Sequence, residues 1–318
     1  MKPEPSPRVK IAVVYHRPST VVSDDVYEPV LAGAAVMTER SKDGKTPMDP
    51  GFLAQMAFRD DDGENVSDRN RVINEMSVVY WMWKNLVRMG DPDYVGLAHY
   101  RRFFIFDEST PLPEVRWFPK SETYLYADES RFRRAIDSSA CVELLRKHDV
   151  LCSFRYAASN LVRGDRYSRC RDRFVDMLGP DKGFLYDEME RLVLAARPDF
   201  AAEIEYMRLH TDHYVCNMFV MPRETFSEYC EFVFPILFRI AELNGEDRDP
   251  QTARAPGFIS EFLTSIYLAH LKRTGKLRMK EMRIACWGIK PTGRVRRIVA
   301  RLLPDALRRG LKRLLRLK

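Results

Sequence analysis

Tyr94-Val95-Gly96-Leu97-Ala98-His99-Tyr100-Arg101-Arg102, residues 94–102, is the stretch on which the fold turns. Tyr94 to Ala98 is a short apolar run that starts after the turn Asp91-Pro92-Asp93, the pattern of a buried strand. It runs directly into an imidazole, a phenol and two guanidinium groups. Open α/β sheets place ligands at the carboxyl ends of their strands, so this junction predicts both a fold class and a site.

Upstream, Lys10 to Tyr15 is β-branched and aromatic, is closed by His16, Arg17 and Pro18, and predicts a first buried strand. Ser41–Gly51 and the acidic run at Asp60–Asn65 predict loops. Ser67 offers a cap for an amphipathic helix over Asp68–Arg88, ended by Gly90. Downstream, Asp107–Glu122 is rich in proline and charge and predicts a loop. Helices are expected over Cys141–Lys147, Tyr167–Met177, Asp187–Ala196, Ala201–Leu209, Arg223–Leu243 and Ile259–Lys272, and strands over Val150–Phe154, Tyr214–Met221 and Leu277–Cys286. No internal repeat or linker divides the body, so one α/β domain over residues 1–288 is expected, followed by a separate tail over 289–318.

With 318 residues, 45% hydrophobic and 31% charged, the chain fits neither a disordered segment nor a multispanning membrane protein. The six cysteines are scattered without a CxxC pair, which argues against a disulfide framework or a zinc module and for a reducing compartment. The N-terminal apolar run is too short for a signal peptide, and no run is long enough for a transmembrane helix.

The net charge of +7 is unevenly spread. From Pro291 to Lys318 ten basic residues face one acid, a net of +9, so the rest of the chain sums to −2. In that tail Val295, Ile298, Val299, Leu302, Leu303, Ala306, Leu307, Leu311, Leu314 and Leu315 recur at helical spacing. Arg296, Arg297, Arg301, Arg308, Arg309, Lys312 and Arg313 take the other face. This is the pattern of a basic amphipathic helix lying on an anionic membrane surface; docking on the body and RNA binding are the alternatives.

Four groups carry the candidate chemistry. His99, Tyr100, Arg101 and Arg102 suit a diphosphate, unless carboxylates such as Asp93 and Asp107 neutralise them. The helix start around Asn65 and Asn70 could receive an anion or sugar hydroxyls, or be a plain cap. In His210–Met221, Asp212 and His213 could hold a divalent ion or form a hydrogen-bonded strand edge, with Asn217 beside them. Glu261 stands in an apolar helix, either as a base with a raised pKa or as an acid facing the helix dipole. Tyr80, Trp81, Trp83 and Tyr100 could stack on a base or sugar, although their spacing also suits core packing.

Taken in order, YHRP, DDGENVSDRN, NEMSVVYWMWKN, YVGLAHYRRFF, CNMFVM and GFISEF resemble a bacterial family, domain of unknown function 4422, found in capsular and exopolysaccharide biosynthesis and regarded as glycosyltransferases. The resemblance runs from Lys10 to Trp287. It implies a GT-A-like single domain on a Rossmann-like mixed sheet and a nucleoside diphosphate sugar, UDP-linked, as donor. The acceptor implied is a glycan or polyprenyl-linked saccharide at the inner face of the cell membrane. No nucleic acid is expected. GT-A enzymes end the donor-site strand in Asp-x-Asp, which holds a divalent metal; here the strand ends in HYRR, so the cofactor is unknown, a Mn²⁺ or Mg²⁺ ion stays open, and Arg101 and Arg102 could neutralise the diphosphate themselves.

On this reading Tyr15, His16, Asn65, Asn70, His99, Tyr100, Arg101 and Arg102 bind the donor, while Asp212, Asn217 and Glu261 face the acceptor. Glu261 is the expected base, with Asp212 as the other catalytic carboxylate. A noncatalytic sugar-binding scaffold of a polysaccharide assembly complex and a nucleic-acid-binding protein using the basic tail are the competing classes.

Overall fold

The computed structural model describes residues 6–41, 44, 46–111, 122–125, 128–155, 169–247 and 249–288. The expected tail, with Arg296, Arg297, Arg301, Arg308, Arg309, Lys312 and Arg313, lies outside them. Among the described residues no helix is long and apolar enough to cross a membrane.

The first strand, β1 (Val9–Tyr15), pairs in parallel with β2 (Tyr27–Leu31) on one side and β4 (Tyr94–His99) on the other. The two-residue β3 (Phe58–Arg59) extends that edge in parallel. Parallel strands in a sheet covered on both faces must be apolar on both, which is why VKIAVVY reads as a continuous run. Ala12 and Val14 enter one core and Ile11, Val13 and Tyr15 the other.

The sheet forks at β4. Its residues Tyr94–Leu97 pair antiparallel with β8 (Phe219–Pro222), whereas His99 pairs with Arg102 of β5 (Arg102–Phe104). Beyond β5 lie β10 (Ile284–Cys286) and β6 (Glu122–Tyr124), and beyond β8 lie β7 (Val150–Ser153) and β9 (Met279–Met282). Because β8 runs against β4, the turn that leads into β8 arrives at the carboxyl end of β4, beside His99.

Gly96 makes the fork possible. A Cβ there would lie 2.9 Å from both Ile11 Cγ1 and Val220 Cγ2 and 3.0 Å from the carbonyl of Phe219. Gly96→Ala is expected to cost about 1–3 kcal/mol through overpacking, read as a lower urea midpoint with an unchanged slope.

One face carries the longest helices, α9 (Arg223–Asn244) and α10 (Ala255–Thr274), with α3 (Met76–Lys84), α6 (Cys170–Leu178), α7 (Gly183–Ala196) and α8 (Ala201–Leu209). The other carries α1 (Pro50–Leu53), α4 (Glu129–Ala135) and α5 (Ser138–Leu145). The architecture is therefore the expected α/β mixed sheet, and β1, β4, α8, α9 and α10 fall within a few residues of their predicted bounds.

Three expectations change. The helix over Asp68–Arg88 is broken: a 3-10 turn at Ser67–Arg69 and the short α2 (Asn70–Ile73) stop at Asn74, whose φ of 55° forbids a continuous helix. The strand expected from Tyr214 starts only at Phe219, because Cys216 and Asn217 have φ of 69° and 50° and form a turn. The closing strand splits in two at Arg283, one half pairing with β7 and the other with β5.

Candidate active site at the carboxyl end of the sheet

At the ends of β1 and β4 the side chains of Arg17, Tyr100 and Arg101 gather. Arg17 Nε donates to the Tyr100 hydroxyl at 2.8 Å, the Arg17 and Arg101 guanidinium groups lie over the Tyr100 ring, and His16 meets that ring edge-on at 4.9 Å. The alternative of neutralisation by Asp93 and Asp107 is excluded. Asp93 is bound by the backbone and side chain of Arg8, and Asp107 by Arg134, Ser109 and Thr110. Among the described residues neither Arg17 nor Arg101 has a carboxylate within 4 Å. Burial holds the Arg101 guanidinium below its ordinary value, and the charges of Arg17 and Arg102 add to this. Its buried Nε has no hydrogen-bond partner among the described residues. A partly buried cation cluster with no counter-ion among the described residues is a place where an anion gains strongly.

Tyr15 does not join this cluster as a ligand contact. It is fully buried, and its hydroxyl donates to Thr20 O and accepts from Val22 N–H, fastening the loop after β1. Asn65 and Asn70 are likewise used internally. Asn65 donates to Asp61 O and Gly63 O and accepts from Ser67 N–H, and buried Asn70 donates to Asn74 O and Ser77 Oγ. The centre of this frame is Asp60, at 0% exposure. Its carboxylate accepts from the amides of Gly33 and Ala34 at 2.8 and 2.9 Å and from the hydroxyls of Ser67 and Ser77 at 2.5 and 2.6 Å.

The second chemical group forms where β8 begins. Glu261, on α10, accepts the Cys216 N–H at 3.1 Å, and the Cys216 carbonyl accepts from His99 Nε2 at 2.5 Å. The carbonyl can only accept, so His99 carries its proton on Nε2. Asn217 is completely engaged: its Nδ2 donates to Glu75 Oε1 at 2.8 Å and Ser260 Oγ at 3.0 Å, and its Oδ1 accepts from Thr264 Oγ1 at 2.7 Å. It is buried and fastens the turn. Burial pushes the Glu261 carboxyl above its ordinary value and the charge of Glu75 raises it further, while the Cys216 amide and the charges of Arg173 and Arg102 oppose this. Glu261 thus stands in a low-dielectric setting suited to holding or taking up a proton.

The paired metal ligands Asp212 and His213 are not a pair. Asp212 accepts from the Tyr206 hydroxyl at 2.8 Å and lies 3.9 Å from Arg155, whose guanidinium covers the Tyr206 and Tyr214 rings. His213 is buried against Phe262, with Nδ1 donating to Thr211 O and Nε2 accepting from Arg173. Both ring nitrogens are therefore occupied, and burial, aided by Arg173, pushes its pKa down to about 3. Nor do the guanidinium groups ending β4 fit a divalent ion, since they are cationic and have no lone pair to give, and His99 Nε2 is turned to the Cys216 carbonyl. Among the described residues no group of three or more His, Cys, Asp or Glu could hold a metal.

Three of the four aromatics are core. Trp81 is fully buried with its Nε1 donating to Asp62 O, and Tyr80 and Trp83 pack on Phe234 of α9. Only Tyr100 lies at the site. Sequence reasoning gave no role to Arg17, Asp60 and Arg173. Arg17 reads in YHRP as part of the break that closes the first strand, Asp60 hides in an acidic run, and only the broken helix puts Glu75 opposite Asn217.

A search of curated proteins gives no match. The fold is similar to an apo structure of WbbM, described as a bifunctional glycosyltransferase, with a TM-score of 0.71 at 23% sequence identity. The alignment covers 90% of this chain and 48% of that one, so the chain spans about half of WbbM's length. Residues 10–273 match the family described as Domain of unknown function (DUF4422), which takes in most of the body, and the chain belongs to that family.

Proposed function

We propose that this protein is a glycosyltransferase that moves a hexose from a nucleoside diphosphate sugar, UDP-linked, to a glycan or polyprenyl-linked acceptor. The observation that carries the reading is the cluster of Arg17, Tyr100 and Arg101 at the end of β4, where Arg17 and Arg101 have no carboxylate partner among the described residues, with Glu261 on the other side of His99. The likeness of the fold to a glycosyltransferase supports it.

In this reading the acceptor hydroxyl oxygen forms a bond to the anomeric carbon as the bond from that carbon to the diphosphate oxygen breaks. Glu261 takes the hydroxyl proton, and the diphosphate leaves with the bonding pair, its charge met by Arg17 and Arg101. The charges of Arg173 and Arg102 oppose the effect of burial and favour the ionised form that a base needs. The chain's basic tail would hold the enzyme on the inner face of the membrane beside a lipid-linked acceptor.

Titration calorimetry with UDP and UMP tests the diphosphate claim. Charge-assisted hydrogen bonds contribute about 1.5–3 kcal/mol, so Arg101→Ala is expected to weaken UDP binding roughly 10- to 100-fold and UMP binding far less. Equal affinity of wild type and variant for UDP would contradict it.

A further inference from the structure

We propose that Glu75 is a positioning residue for Glu261, holding through Asn217 the turn whose amide binds Glu261 and presenting its own negative charge to the same carboxylate. The proposal rests on the reading of Glu261 as the base.

The geometry runs through one turn. Asn74 and the Cys216–Asn217 pair all have positive φ, a costly conformation that persists only when the surroundings impose it. They impose it here from both sides. Asn74 O accepts from Asn70, Asn74 Oδ1 accepts from Arg254 Nε at 2.7 Å, and a Cβ on Gly257 would lie 1.9 Å from Asn74 Nδ2. Locked in this way, Asn74 ends α2 and sets Glu75 at the start of α3, where its Oε1 accepts from Asn217. Asn217 in turn fixes Cys216, which touches Glu261 with its amide and His99 with its carbonyl. Four elements converge on Glu261: Glu75 from α3, Arg173 from α6, Arg102 from β5, and the Cys216 turn with His99 from β4. His213, held by Arg173, is neutral and packs on Phe262, the residue after Glu261.

Of these groups only Glu75 carries a like charge. It therefore keeps the proton on Glu261 to higher pH, opposing the two arginines. The same group supplies a hydrogen-bond acceptor, and the two roles separate by substitution. Glu75→Gln keeps the acceptor oxygen for Asn217 and removes the charge. Glu75→Asp keeps the charge and withdraws the acceptor by one methylene.

The test is a cycle of thermal unfolding on the full chain, comparing wild type with Glu261→Gln, each alone and with Glu75→Gln or Glu75→Asp, across pH 4 to 8. A carboxyl with a raised native pKa makes the folded state lose stability as pH rises from the unfolded value through the native one. The wild-type melting temperature should accordingly fall relative to Glu261→Gln over that window. With Glu75→Gln the fall is expected to shrink, by roughly 2–3 °C for each pH unit by which the titration moves down. With Glu75→Asp the pH-dependent fall is expected to stay, while a loss independent of pH appears from the lengthened contact to Asn217. An unchanged fall in Glu75→Gln, or a fall that vanishes in Glu75→Asp, would overturn the proposal. The cycle needs no substrate, so its failure is distinct from failure of the transferase reading, which would appear as no binding of UDP to wild type.

Discussion

Glu261→Gln is expected to lower the rate of sugar transfer by about 10²- to 10⁴-fold while leaving donor affinity within about twofold, the range that general-base catalysis supplies. Glutamine keeps the shape and can still accept the Cys216 N–H, so the turn that seats His99 survives. What it loses is the ability to take a proton. Because burial and the charge of Glu75 raise the Glu261 pKa, the active ionised form disappears as pH falls through a value above the ordinary glutamate range. The wild-type rate should show that acid limb, and the residual rate of the variant should lack it. A pH profile of the two proteins checks both points, and full activity in Glu261→Gln would remove the residue from the mechanism.

Asp60→Asn is expected to destabilise the fold by about 3 kcal/mol or more, the largest effect on stability anticipated for a one-atom change in this chain. Each carboxylate oxygen of Asp60 accepts from one backbone amide and one hydroxyl, on Oδ2 from Gly33 and Ser77 and on Oδ1 from Ala34 and Ser67. An amide must turn its NH₂ toward one of these pairs, leaving a buried backbone N–H facing another donor. The Gly33 turn then loosens from the Ser67–Ser77 segment. Gly33 cannot adapt by gaining a side chain, since its φ is 68° and a Cβ would lie 2.6 Å from Asn70 Oδ1. Chemical denaturation with urea reads the loss directly; a midpoint equal to that of wild type would show that the frame tolerates the amide.

Asp60 also shows where the sequence was legible and where it was not. Asp60, Asp61 and Asp62 carry the same letter in one run. Asp61 pairs with Arg59 and Asp62 with Arg88 at the surface, whereas Asp60 is sealed inside. Nothing local distinguishes them, because its four donors come from two other segments. β1, β4, α9 and α10 were legible because burial on both faces or along one stripe leaves its period in the residues themselves. Asn74 and the Cys216–Asn217 turn break their elements against local preference through long-range contacts, to Arg254 and Gly257 in one case and to Glu75, Ser260 and Thr264 in the other. Arg101, Tyr100 and Glu261 stand out in the sequence as candidates because each is a polar group at a strand's end or in an apolar helix. Position alone suggests ligand contacts at Tyr15, Asn65 and Asn70, whereas the structure uses their polar atoms to hold loops.

The measurement that bears most directly on the transferase reading is the melting temperature of the full chain with UDP-, GDP-, dTDP- and CMP-sugars, each with Mn²⁺ and with EDTA. A ligand that binds only the folded state raises its stability by mass action, about 2.7 kcal/mol at a hundredfold excess over Kd, whatever the acceptor. The account predicts a rise with UDP-sugars that survives EDTA and is lost in Arg101→Ala. No rise with any nucleoside diphosphate sugar, under either metal condition, would contradict it.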